Sequence, residues 1–271
     1  MVSAVSTGAE RAPRSINVKV AAIQHDIFWE DPAANLHRLD GMIAGAAASG
    51  AKLVVFPDRS TTGSTLSPYM FEGRSGVSTS FMQRAASDHG VWVAGTAAVE
   101  EDGVATITSL IAGPGGELHA GGKHHLTPSE SEVFAAHMTI DSFLIEDVRV
   151  ASFVGTDLRY PNDFWDVAAD VDLFIVHGAE PESRSQQWRS LLAARAIENQ
   201  CYVVGANRVG TGGGRTYLGE SAIIDPSGQL LVSASATETT LIAEVESALV
   251  RFTRDRSPLL GEREPLVITL T

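Results

Sequence analysis

Thiols, imidazoles and glycine-flanked lysines are the side chains that most readily announce chemistry, and this chain offers few. Its one cysteine, Cys201, stands in ENQCYVV and reads as a small buried apolar residue. A lone thiol excludes an internal disulfide and a cysteine-rich zinc site. His124 and His125 are neighbours on an extended segment and point to opposite faces, so they cannot chelate one ion together. No other ligand spacing accompanies them, and neither a metal nor a cofactor is expected. Gly121-Gly122-Lys123 is no phosphate loop: the first glycine is misplaced, and His124 stands where Ser or Thr is required. Gly212-Gly213-Gly214 matches no dinucleotide fingerprint and reads as a flexible loop. A GxSxG nucleophile elbow is missing.

The elements that would have to position a site are clearer. Short apolar runs at Val18 to Gln24, Leu53 to Phe56, Val91 to Ala97, Val148 to Val154, Leu173 to His177, Tyr202 to Ala206 and Thr240 to Val245 read as strands. Pro32 to Ala48, Ser80 to His89 and Gln187 to Asn199 carry apolar residues at helical spacing, and Asp31-Pro32 supplies a cap and a first-turn proline. Gly113 to Gly116 and Asp225 to Gly228 mark two hairpins. Helices alternating with strands, with hairpins inserted, predict an α/β fold with mixed sheets.

The chain has 271 residues, 44% of them apolar and 20% charged, and a net charge of -13. Those values suit a globular protein with a substantial core. The acidic balance opposes binding to nucleic acid or an anionic membrane surface. No apolar run is long enough to span a bilayer. We expect a cytoplasmic protein with a flexible leader over 1–15, a single domain over 16–249, and an extension over 250–271 that packs on a neighbour or frays.

Four segments taken in order resemble the nitrilase superfamily of carbon–nitrogen hydrolases: VKVAAIQHD through Asn35 to GAKLVVFPDRSTTG; GGKHHLTPSESEVF; VASFVGTDLRYPNDF; and AARAIENQCYVVGANRVG followed by YLGESAIIDPSGQLL. They cover about Val18 to Val245. The resemblance implies a four-layer αββα sandwich, assembly as a homodimer or higher homo-oligomer, a small-molecule substrate, and a Glu-Lys-Cys triad with a second Glu supporting the Lys. In that chemistry the thiol attacks an amide or nitrile carbon, the Glu moves protons, and the Lys stabilises developing negative charge.

By the same resemblance Lys123 is the lysine and Glu130 the supporting carboxylate. Glu132 is its rival, but Ser129-x-x-Glu132 reads as a capping box. The first Glu is replaced by Asp58, one methylene shorter. The nucleophile position is held by Gly155, which has no side chain to attack with. Thr156, one residue on, should point elsewhere, and Ser152 lies three residues back in the strand. Asp157 and Arg159 stand where the family has Asp-x-Arg, as a scaffold for the loop or as contacts to substrate together with Thr156. Asn207 fits a hydrogen-bonding structural role, and His177 ends a strand near the expected pocket mouth. Three readings follow: an enzyme with altered, non-covalent acid–base chemistry (cyclisation, dehydration, elimination or water addition) on a nitrogen-containing molecule; an inactive relative that binds a ligand or a partner; or an amidase whose nucleophile has been deleted.

Overall fold

In the first predicted strand Val18, Val20 and Ala22 point one way and Ala21 and Ile23 the other, and all five are buried. A strand apolar on both faces has to be covered on both. The computed structural model, which describes residues 17–262, shows how. Along the chain run β1 (Asn17–Gln24), α1 (Pro32–Ala48), β2 (Leu53–Val55), α2 (Val77–His89), β3 (Trp92–Glu101), β4 (Val104–Ala112), β5 (Leu118–Gly122), α3 (Pro128–Ser131), β6 (Ser142–Ile145), β7 (Val148–Val154), α4 (Pro161–Val167), β8 (Leu173–His177), α5 (Ser185–Asn199), β9 (Tyr202–Ala206), β10 (Val209–Gly212), β11 (Arg215–Leu218), β12 (Ala222–Ile224), β13 (Leu230–Ser233), β14 (Thr239–Glu246) and α6 (Ser247–Arg256).

One six-stranded sheet has the order β14-β1-β2-β3-β4-β5 and the other β13-β12-β9-β8-β7-β6. Each has a parallel centre, β1-β2-β3 and β7-β8-β9, flanked by antiparallel strands. Val20, Val55, Val150, Ile175 and Val204 fill the space between the sheets. Leu39, Ile43, Phe81 and Met82, from α1 and α2, seal the outer face of the first sheet. Phe164, Trp188 and Leu192, from α4 and α5, seal the outer face of the second. Three apolar layers separate four layers of structure, giving the αββα sandwich and mixed sheets that the sequence predicts.

Two expectations change. The charged segment after Val250 opens as the helix α6, which runs to Arg256 and packs on its own chain rather than on a neighbour. Val250 is buried between the sheets, and Arg254 donates to the carbonyls of Ala168 and Val171 at 2.8 and 2.7 Å. The arginines there obscure the apolar spacing of Leu249, Val250 and Thr253. The glycine run is an ordered hairpin tip between β10 and β11, with Gly213 and Gly214 at φ +55° and +73°. A β-carbon on Gly213 would lie 2.6 Å from the Trp29 ring, so the hairpin packs where only glycine fits. The 1–15 leader and the chain beyond 262 lie outside the described residues.

Open α/β sheets place sites beyond the carboxyl ends of their parallel strands. Here Asp58 follows β2, Gly155 follows β7 and Glu180 follows β8, while Lys123 follows β5. The two sheets are tied at this end: the Asp58 amide donates to the Gly178 carbonyl at 3.0 Å. From α1, Asn35 donates to the carbonyls of Phe28 and Thr61 at 2.7 and 2.8 Å, clamping the loops after β1 and β2.

Candidate active site

A cavity of about 400 Å³ opens at these strand ends and is lined by Asp58, Arg59, Lys123, Glu130, Gly155 and Thr156, among others. The three residues carrying the expected triad and its vacancy therefore share one pocket with the supporting carboxylate.

Lys123 is buried, and its Nζ donates to both oxygens of Glu130, at 2.8 and 2.7 Å. Glu130 is fixed from its own helix. The N-cap of α3 is Thr127, whose hydroxyl accepts from the Glu130 amide at 3.3 Å, while Oε2 of Glu130 accepts from the Thr127 amide at 2.9 Å. This corrects the box expected at Ser129 and Glu132: the same carboxylate caps the helix and holds the lysine. Proline at the first position of α3 sets the register two residues earlier.

Asp58 is enclosed by donors. Its Oδ2 accepts from Arg59 Nη2 at 2.9 Å and from Nε at 3.2 Å, and its Oδ1 accepts from the Thr96 hydroxyl at 2.8 Å. The Arg59 guanidinium also reaches Glu130 Oε1 at 3.1 Å and the Thr65 carbonyl at 3.2 Å. Burial alone would push the Asp58 carboxyl up, but the charges of Arg59 and Lys123 hold it below the usual carboxylate range. Glu130 is held low in the same way, burial being outweighed by Lys123 and Arg59. Both carboxylates are thus ionised at neutral pH. Arg59 is the pocket residue that motif reading misses. Its signal is a charged residue directly after FPD, in a segment that has to pass through the interior.

Gly155 begins a short turn at φ +50°, a left-handed conformation. A β-carbon built there meets one neighbour within 4 Å, Lys123 Nζ at 3.5 Å. The nucleophile position therefore points at the lysine across open space. Thr156 lines the same pocket.

The other expected contacts lie elsewhere. Asp157 is fully buried and accepts from the amides of His124, His125 and Val154 at 3.1, 2.8 and 2.9 Å, so it is a backbone scaffold for the segments that carry Lys123 and Gly155. Arg159 turns to Gln187 at 2.7 Å and, at 3.8 Å, to Glu180. His177 is not at the pocket mouth. It is fully buried between the sheets, with Nδ1 2.6 Å from the Phe56 carbonyl and Nε2 3.1 Å from the Ser152 hydroxyl. The last residue of a strand at a sandwich interior points inward or outward by register alone, and here Val154 pairs with His177. Ser152 bonds on to Ser109 at 2.7 Å and lies apart from the main cavity. Asn207 has the structural role expected of it, accepting from the Glu180 amide at 2.9 Å and donating to the Gly219 carbonyl at 2.7 Å. His125 stacks on Tyr160 at 3.5 Å, and no cluster of metal ligands occurs among the described residues.

Burial lowers His177 to about 4 and, with Arg208 and Arg38 adding repulsion, His25 to about 3. Both imidazoles stay neutral in the fold down to those values, whereas in the unfolded chain they protonate below about 6.5. Folding stability is fully present above that pH and falls as acid is added, because the unfolded state binds more protons. With both groups contributing, the slope should approach about 2.5 kcal/mol per pH unit between pH 6 and 4.5. Urea unfolding across pH 8 to 4.5 measures it; a flat profile would contradict the burial of both rings.

Residues 19–255 match the Carbon-nitrogen hydrolase family. An Omega-amidase YafV from Escherichia coli K12 is 31% identical over 246 residues, covering 89% of this chain and 94% of that protein. A 2-oxoglutaramate amidase from Bacillus subtilis is 30% identical over 249 residues, covering 86% and 93%. Among solved structures, XC1258 from Xanthomonas campestris, a CN-hydrolase superfamily protein with an arsenic adduct in its active site, superposes with a TM-score of 0.87 at 28% identity, over 94% of this chain and all of that one. No helix among the described residues is long and apolar enough to cross a membrane.

Proposed function

We propose that this chain, which belongs to the carbon–nitrogen hydrolase family of the nitrilase superfamily, acts on a small nitrogen-containing carbonyl compound by non-covalent acid–base chemistry. The observation that carries the reading is the pocket itself: Lys123 is buried, lines the cavity beside Gly155, and is backed by an ionised Glu130. A buried charge cluster with no ligand to serve has a desolvation cost without a return. Lys123 polarises the carbonyl oxygen and stabilises the charge that develops on it. Asp58, ionised beside it, takes up a proton from nitrogen or from water. Glu130 holds the ammonium in place. Gly155 leaves the volume of a side chain for water or for the substrate itself. The names of the Escherichia coli and Bacillus subtilis relatives direct the search to amides.

A second reading, a ligand-holding protein without turnover, is favoured by the Arg59 clamp, which occupies both oxygens of Asp58. One experiment separates the two. The protein and Lys123→Ala are incubated with succinamate, glutaramate and a small-molecule extract, and masses are followed. We expect conversion, with a rate loss on the order of 10²–10³ in Lys123→Ala, as for removal of one charge-stabilising donor. A mass shift of water or ammonia names the reaction. A ligand retained unchanged by the protein and lost from Lys123→Ala would make the chain a binding protein. Neither signal would make it an inactive relative.

A further inference from the structure

We infer that Glu180 reads the far end of the ligand by accepting a hydrogen bond from an uncharged donor, a hydroxyl or an amide N–H. This rests on the reading above, in which the carbonyl end meets Lys123, and it narrows the substrate class of the same site to carbonyl compounds that carry a second, neutral donor. Three carboxylates line the cavity, Asp58, Glu130 and Glu180. The first two are well supplied with donors. Asp58 accepts from Arg59 and Thr96, and Glu130 from Lys123, Arg59 and the Thr127 amide. Glu180 is 7% exposed, yet its carboxylate accepts no hydrogen bond among the described residues, and its Oε2 is fully enclosed. Two guanidiniums stand near it, Arg184 at 3.6 Å and Arg159 at 3.8 Å, ion-pair distances beyond hydrogen-bond reach. A buried acceptor left without a donor is costly, and the open space beside this one is the cavity.

Position supports the same conclusion. Gly155 to Arg159 form one short 3₁₀ turn. Its first residue faces Lys123, since a β-carbon on Gly155 would lie 3.5 Å from Nζ, and its last, Arg159, lies 3.8 Å from Glu180. A rise of about 2 Å per residue sets the ends of the turn about 8 Å apart, so a carbonyl compound of about four or five carbons laid along it meets the lysine with one end and Glu180 with the other. Charge narrows the donor. Two guanidiniums flank the one carboxylate there, so an ammonium on the ligand gains nothing from it, whereas a hydroxyl or amide hydrogen is free of that repulsion.

The backbone that carries Glu180 is held on every side. Gly178, just past β8, donates to the Ala206 carbonyl at 2.7 Å and accepts from the Asp58 amide at 3.0 Å. A β-carbon there would lie 2.7 Å from the Trp188 ring, so the segment packs where only glycine fits. Asn207 then brackets Glu180 itself, accepting from its amide at 2.9 Å and donating to its carbonyl at 3.1 Å. Asn207 is buried and fixed in turn by the Gly219 carbonyl at 2.7 Å and by the Ser221 hydroxyl, which accepts from its amide at 2.9 Å. A side chain on so rigid a base, with its own polar atoms unsatisfied, is arranged for a ligand group of fixed position.

Calorimetric titration of the wild-type protein with 4-hydroxybutanamide and 5-hydroxypentanamide, against their donor-free isosteres pentanamide and hexanamide, tests this. At least one hydroxyamide should bind roughly 10- to 100-fold more tightly than its isostere, the range for a hydrogen bond to a charged group. In Glu180→Met that preference should vanish. Glu180→Gln, which keeps the shape and one acceptor, should fall between the two. Glu132→Gln, which removes an exposed carboxylate outside the cavity, should retain it. The cationic 4-aminobutanamide should bind no better than pentanamide. Equal binding of hydroxyamide and isostere would mean that water alone serves Glu180, and would overturn the proposal. So would a preference that survives Glu180→Met, tighter binding of the amine than of the hydroxyamides, or no binding of either hydroxyamide. The titration reads recognition alone. A donor preference in a protein that turns nothing over would sustain the role of Glu180 while the catalytic reading fell, and turnover without the preference would do the reverse.

Discussion

Gly155→Cys should convert this protein into one with a reactive thiol. The wild-type chain has a single cysteine, Cys201, which is fully buried, so iodoacetamide should leave it largely unmodified. A thiol at position 155 would differ in three physical respects. The β-carbon has room, since Lys123 Nζ at 3.5 Å is its one neighbour within 4 Å. The backbone is already at φ +50°, so the substitution costs about 1–2 kcal/mol of left-handed strain rather than a rearrangement. The ammonium next to it favours thiolate over thiol. A lowering of about two units in the thiol pKa raises the thiolate fraction near neutral pH roughly 20-fold. Intact-mass kinetics should therefore show one fast adduct in Gly155→Cys, and a rate lower by about that factor in Gly155→Cys with Lys123→Met. Equal rates in the two would mean that the nucleophile position does not face the lysine. Amide hydrolysis is a harder demand. It needs a carboxylate that reaches the leaving nitrogen beside the thiol, and Asp58 is one methylene short and drawn toward Arg59. We expect the triple change Gly155→Cys, Asp58→Glu, Arg59→Met to be more active on succinamate than Gly155→Cys alone.

Much of this site was legible from the chain, for a local reason. Lys123, Glu130, Asp58 and Gly155 each sit in a short segment whose order and spacing carry the family resemblance, and strand ends converge on one edge of an αββα sandwich by topology. What the chain hid depends on direction and on distance in space. His177 ends the expected strand, but register turns it inward, where the Phe56 carbonyl and Ser152 satisfy it. For Asp157 the chain left a loop scaffold and a substrate contact both open, and the three amides it ties, from two segments distant in sequence, choose the scaffold. The capping box was placed two residues late because Ser129-x-x-Glu132 and Thr127-x-x-Glu130 both fit the pattern, and only Pro128 separates them. The helix α6 was lost under its own charges.

Arg59 is where the largest stability effect should appear. Its guanidinium is buried and bridges Asp58 and Glu130, at 2.9 and 3.1 Å. Asp58, Glu130, Lys123 and Arg59 form a cluster of two negative and two positive charges. Arg59→Met keeps much of the side-chain volume and leaves one cation for two carboxylates. Removing one partner of a buried pair typically costs about 3–5 kcal/mol, because the remaining charge is uncompensated. Urea unfolding of Arg59→Met should show a loss of that size. The control is the double change with Asp58→Asn, which removes the orphaned charge together with its partner. That pair should recover most of the loss, a coupling larger than distant sites show. The same substitution should also move chemistry. Without Arg59 the burial that favours the neutral acid is opposed only by Lys123 and the Thr96 hydroxyl, so the Asp58 carboxyl should rise toward or above its ordinary range. The acid limb of any Lys123-dependent turnover should then shift to higher pH in Arg59→Met, whereas a residue that merely filled space would leave the profile where it was. A loss below about 1 kcal/mol, the range of an exposed ion pair, would show that water reaches the cluster.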